Sequence, residues 1–95
     1  MIKEKYLNQI KQKIEQFNKD KKLEFFIYGS SLTKDHFGDI DLGVLGEINS
    51  QQIMALKDEC NNSNLPYSVD ITNFDEVSKE FRDNVFNNKI LWITR

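Results

Sequence analysis

The sequence predicts an α+β domain: a small mixed sheet of about four strands with helices packed against it. Two observations carry this. Charged stretches with helical apolar spacing alternate with short apolar runs along the chain. Polar segments rich in Gly, Asn and Ser separate them. At 95 residues the chain is expected to form one domain, residues 1–95, without repeats, linkers or low-complexity tracts.

The first expected element is a helix over residues 3–19, with Leu7, Ile10, Ile14 and Phe17 on one face and Lys, Glu and Gln on the other. Asn18-Lys19-Asp20 is its expected stop. Leu23 to Tyr28 is apolar and aromatic, too short for a helix, and reads as a buried strand. Gly29-Ser30-Ser31 breaks it. Ser31 to Phe37 reads as a turn of helix followed by a loop. Gly38 leads into a second strand, Asp39 to Leu45, which Gly46 ends. Ser50 is expected to cap a helix running to about Cys60, with Ile53, Leu56 and Cys60 on one face. Tyr67 to Thr72 is a third strand. Asp75 is expected to cap a further helix carrying Val77, Phe81 and Val85. Ile90 to Ile93 closes the chain as a fourth strand or a final helical turn.

Hydrophobic residues make up 39% of the chain, as in ordinary water-soluble domains, and the net charge is −2. That charge argues against a general nucleic-acid binder. The lysines between Lys3 and Lys22 read as a solvated helix face, with a patch for an anionic partner as the alternative. Cys60 is the single cysteine, so no intrachain disulfide forms, which suits a reducing compartment. No signal-peptide core and no run near the ~20 apolar residues of a membrane span is present. The expectation is a cytoplasmic protein with no membrane association.

The chemistry lies in residues 25–45, FFIYGSSLTKDHFGDIDLGVL. In a strand, Asp39 and Asp41 face one side, with Cα atoms about 6.5–7 Å apart, while Ile40 and Leu42 enter the core. Two carboxylates so close repel and raise each other's pKa. A pair of Mg²⁺ ions removes the conflict, because Mg²⁺ takes carboxylate and phosphate oxygens and two-metal sites hold ions about 3.5–4 Å apart. Gly29 lets backbone approach a phosphate chain. A helix starting at Ser30 or Ser31 would present N–H groups to it, and the Ser30 hydroxyl adds a donor. Lys34 is a candidate phosphate contact. Asp70, flanked by apolar Val69 and Ile71, joins the same surface if its strand pairs beside the second one. There it could bind one metal and help deprotonate an attacking hydroxyl.

This pattern resembles the minimal nucleotidyltransferase (MNT) group of the DNA polymerase β superfamily. Gly29-Ser30 and Asp39-Ile40-Asp41-Leu42 match its signature, and LPYSVDITNFDEVSKEFRDNV is similar to its third acidic strand and following helix. The resemblance covers the chain from Leu23 onward, and the first helix fits as well. It implies the nucleotidyltransferase fold and transfer of a nucleoside monophosphate from ATP or another triphosphate to a hydroxyl, with loss of pyrophosphate. Asp39 and Asp41 would bind both Mg²⁺ ions, Asp70 would ligate one and favour deprotonation of the acceptor, and Gly29, Ser30, Ser31 and Lys34 would hold the triphosphate. Ser31 stands where the group often has Arg, and Gly38 where it often has Ser. Many members of this size resemble the antitoxin of a pair whose toxin is an all-helical HEPN RNase. In such pairs a toxin tyrosine is the AMP acceptor, so the resemblance implies a HEPN-type partner. The alternative is a non-catalytic antitoxin subunit that neutralises such a partner by complex formation.

Other residues have ordinary readings. His36 reads as a solvated loop residue, with phosphate contact or acid–base work as the alternative. Cys60 reads as helix packing. Tyr28 and Phe37 read as core or shielding residues, with base stacking as the alternative, and Trp92 as core or interface.

Overall fold

The computed structural model describes residues 1–94. Its order is α1 (Glu4–Phe17), β1 (Glu24–Tyr28), one 3₁₀ turn (Ser30–Leu32), β2 (Asp39–Leu45), α2 (Ser50–Asn61), β3 (Ser68–Asn73), α3 (Lys79–Phe86) and β4 (Leu91–Trp92). The four strands form one sheet in the order β3-β2-β1-β4. The expected mixed sheet with helices against it is therefore present. β1 runs antiparallel to β2 and to β4, whereas β2 and β3 run parallel. A parallel pair cannot be joined by a tight turn, and α2 is the crossover that joins this one.

Alternation along the strands sorts the sheet into two faces. On one face Phe25, Ile27, Ile40, Leu42, Val44 and Val69 pack with Ile10 and Ile14 of α1 and with Leu56 and Cys60 of α2. On the other face Phe26, Phe74 and Val85 form a second, mostly aromatic cluster with Tyr28, Leu45, Phe86 and Trp92 around it. α3 covers that half of the second face. The other half carries the acidic residues of β2 and β3.

Element ends follow local hydrogen bonding. α1 stops where expected because the buried Asn18 side chain bonds both backbone groups of Leu23, donating to its carbonyl at 2.8 Å and accepting from its N–H at 3.2 Å. The cap of α2 is Asn49, one residue before the expected Ser50. Asn49 and Gln52 bond each other's backbone N–H reciprocally, whereas a cap at Ser50 would place Ile53 at the partner position. The cap of α3 is Ser78, which accepts from Phe81 N–H at 3.2 Å, and the expected cap Asp75 lies outside the helix. Asp75 instead accepts from Gly46 N–H at 2.9 Å, tying the end of β2 to the turn after β3. Val77 accordingly precedes α3, although it still packs on the aromatic cluster. The closing segment is a two-residue strand, Leu91–Trp92, which settles the choice between strand and helical turn. Among the described residues no helix is long and apolar enough to cross a membrane.

Gly43 is fixed by packing. It pairs with Phe26 across β1 and β2, and a Cβ at this position would lie 2.2 Å from Phe26 Cζ. The ring thus occupies the space a side chain would need. Gly43→Ala should destabilise the domain by about 1–3 kcal/mol through overpacking. Thermal unfolding should show this as a clear drop in Tm, whereas Gly38→Ala, with nothing within 4 Å of its Cβ, should melt close to wild type.

Candidate active site

The strand register brings the candidate acids together. Asp41 pairs with Asp70 across the parallel β2–β3 ladder, and Asp39 pairs with Ser68 two residues earlier. Neighbouring strands lie about 4.8 Å apart, so Asp41 and Asp70 stand side by side on the face that Asp39 shares. Asp39 and Asp70 are exposed and Asp41 is half-buried. The geometric condition placed on Asp70, that its strand lie beside the second, is met.

The edge strand β3 is held by α2. The Asn61 amide accepts from Val69 N–H at 2.9 Å and donates to Val69 C=O at 3.2 Å, filling the outward backbone groups next to Asp70. Lys57, one helical turn before Asn61, places Nζ 3.1 Å from Asp70 Oδ1. Neither residue belongs to the acidic motif. Both flank the buried Leu56 and Cys60 stripe, which is the signal in the sequence that could have pointed to them.

The turn after β1 closes the site from the other side. Gly29 has φ +84°, and a Cβ there would lie 2.6 Å from Asp41 Oδ2. Only glycine satisfies both the backbone angle and the close approach of that carboxylate. Ser30 is half-buried beside it, whereas Ser31 is fully buried, and its Oγ has no hydrogen-bond partner among the described residues. The Ser31 side chain therefore faces inward, and its carbonyl accepts from Ile2 N–H at 2.6 Å. Lys34 and His36 are exposed, and the Lys34 carbonyl accepts from the Met1 amino group. The helix expected at Ser30 or Ser31 is a single 3₁₀ turn. Three residues align too few peptide dipoles to make a strong positive end.

Tyr28 marks the boundary between the acidic and aromatic halves of the face. It pairs with Asp41 across β1 and β2, donates its phenol to Thr72 Oγ1 at 3.4 Å, and meets Phe74 and Phe81 edge-on. Burial pushes its phenol above the ordinary value; the Thr72 bond opposes this, and Asp41 and Asp70 add to it. Phe37 stacks on Tyr67 with centroids 4.4 Å apart, so its ring is already engaged in packing. Trp92 stacks on Phe86 within the second cluster. Cys60 is buried, and burial pushes its thiol up to about 11.

Burial raises the Asp41 carboxyl above the usual carboxylate value, and the nearby Asp70 and Asp39 raise it further. This is the mark of a negative cluster short of positive charge. The donors are all hard oxygens on one face, which suits Mg²⁺. Among the described residues no three Asp, Glu, His or Cys side chains converge closely enough to hold an ion unaided. Mg²⁺ commonly completes its shell with water and substrate phosphate, so the donor set fits that ion in the company of a triphosphate.

Sheet, register and acidic face together define a nucleotidyltransferase-type domain. The family model described as polymerase beta, nucleotidyltransferase, matches residues 8–95, and the chain belongs to that family. Among solved structures, it is similar in fold to a chain in the complex of the tri-AMPylated Shewanella oneidensis HEPN toxin with MNT antitoxin. The TM-score is 0.64 at 21% identity, covering 92% of this chain and 71% of that one. None of the curated proteins matches the chain.

The crowding of charge sets a prediction. The folded state holds the Asp41 proton more tightly than the unfolded chain does, so ionising Asp41 costs stability as pH rises through its raised value. Asp41→Asn should therefore raise Tm by a few degrees at neutral pH. The gain should shrink as pH falls through the raised Asp41 value and vanish below the ordinary carboxylate range. Thermal melts of both proteins from pH 3 to 8 check this.

Proposed function

We propose that this domain is a Mg²⁺-dependent nucleotidyltransferase that moves a nucleoside monophosphate, AMP foremost, from a triphosphate to a hydroxyl acceptor. The favoured acceptor is a tyrosine of an all-helical HEPN-type partner, with the domain serving as antitoxin. Membership of the polymerase β nucleotidyltransferase family supports the reaction class. The fold it shares with a chain of a complex whose toxin is AMPylated supports the partner and acceptor. The single observation that carries the proposal is the pairing of Asp41 with Asp70, with Gly29 against the Asp41 carboxylate.

In this mechanism Asp39, Asp41 and Asp70 would hold the ions. When bound, the ions neutralise the triphosphate and the charge that develops as the phosphoryl group transfers. The protein contributes mainly positioning. Gly29 keeps the loop close to Asp41 with no Cβ between them, and Ser30 donates its hydroxyl to a phosphate oxygen. Ser31 acts from inside, filling the buried side of the turn, and Lys34 supplies positive charge at the exposed rim. Asp70, on the exposed edge strand, accepts the proton of the incoming hydroxyl. The acceptor oxygen forms its bond to the α-phosphorus as the bond to the departing pyrophosphate breaks.

A second reading keeps the antitoxin role without catalysis. It is favoured by one observation: the three acids do not enclose an ion by themselves. The double variant Asp39→Asn plus Asp41→Asn separates the two. Radiolabel from ATP, CTP, GTP or UTP should transfer to a co-expressed helical partner in Mg²⁺, and the double variant should lose this by at least about 10²-fold. Loss of transfer together with loss of neutralisation supports the catalytic antitoxin. Neutralisation that survives the double variant supports the covering role. A wild-type domain that binds no triphosphate in Mg²⁺, with its partner present, contradicts the enzymatic reading.

A further inference from the structure

The acidic face already holds one positive group, and it comes from outside the motif. Lys57 Nζ lies 3.1 Å from Asp70 Oδ1, and the two side chains remain 46% and 53% exposed. Lys57 and Asn61 are four residues apart on α2, so they project from the same flank of the helix. Asn61 fixes the backbone of β3 at Val69, and Lys57 reaches the carboxylate of the next residue. The strand is therefore held by the backbone, while the ion pair is held only by a flexible four-carbon stem.

We infer that Lys57 is a resident counter-cation of the acidic face. It holds the Asp70 carboxylate while no divalent ion is bound, and it releases that carboxylate when one arrives. This rests on the reading of Asp39, Asp41 and Asp70 as cation ligands. Three carboxylates gathered on one face repel, and an ammonium at Asp70 relieves part of that repulsion. An exposed pair contributes little free energy, so a divalent ion can displace it at small cost; a buried pair would block the exchange. Because Asn61 pins the strand, the exchange moves the Lys57 side chain and leaves Asp70 in register with Asp41. Lys57 is thus a positioning residue that sets how tightly the empty domain takes its first ion. It also keeps the acidic face from being fully anionic before substrate arrives.

The test is Mn²⁺ affinity of the full chain without nucleotide, read by the electron paramagnetic resonance signal of free Mn²⁺. Lys57→Gln removes the competing charge and should tighten Mn²⁺ binding by about three- to tenfold at low salt. Lys57→Arg keeps the charge and should stay near wild type. In an Asp70→Asn background the gain from Lys57→Gln should shrink. Thermal melts confirm that each variant is folded. Measurable wild-type binding with unchanged or weaker binding in Lys57→Gln overturns the role of Lys57 and leaves the carboxylate site standing. No Mn²⁺ binding by wild type or by Lys57→Gln without nucleotide overturns the role of Lys57, and no Mn²⁺ binding with a triphosphate present overturns the carboxylate site as well.

Discussion

Everything in the candidate site depends on one constraint, the parallel register that sets Asp41 beside Asp70. A shift of one residue would turn Asp70 to the opposite face and bring Val69 and Ile71 out of the core. That shift is opposed from three sides. Val69 is fully buried, Asn61 bonds both of its outward backbone groups, and Asp75 ties the turn after β3 to the end of β2. The fold thereby half-buries Asp41 and sets like charges beside it, and both, burial foremost, raise its carboxyl.

The two faces of the sheet divide the work. The face under α1 and α2 is apolar and continuous and supplies the larger part of the core. The opposite face is split by Tyr28. Behind it, Phe26, Phe74, Phe86 and Trp92 pack ring against ring under α3, with Gly43 leaving room for Phe26. In front of it stand the carboxylates. This division places rigid strands, and no long loop, under the acidic side chains, which is what precise placement of charge requires.

Much of this was legible in the sequence because the relevant signals are short-range. Alternation located β2, and apolar flanks around Asp70 located β3 and the side from which its carboxylate projects. The signature of Gly29-Ser30 and Asp39-Ile40-Asp41 carried the family. The misplaced helix caps at Ser50 and Asp75 came from reading one residue at a time, whereas capping is a reciprocal pattern, as Asn49 with Gln52 demonstrates. The inward turn of Ser31 was hidden because nothing in a polar tripeptide says which serine faces the core. Lys57 and Asn61 flank the apolar stripe of α2, but their partners on β3 and the fit of Gly43 to Phe26 follow from how the elements pack, which spacing within one element does not give.

The most direct measurement is a titration of Mn²⁺ into the ¹⁵N-labelled domain, following which backbone amides broaden. Binding where the three acids meet predicts that signals of residues 39–41, 69–71 and the Gly29-Ser30 turn fade together at the lowest Mn²⁺ levels. Amides of α1 and β4 should stay sharp at those levels. Broadening centred on any other part of the molecule, or spread evenly over its acidic residues, would contradict the claim that these strands build a cation site.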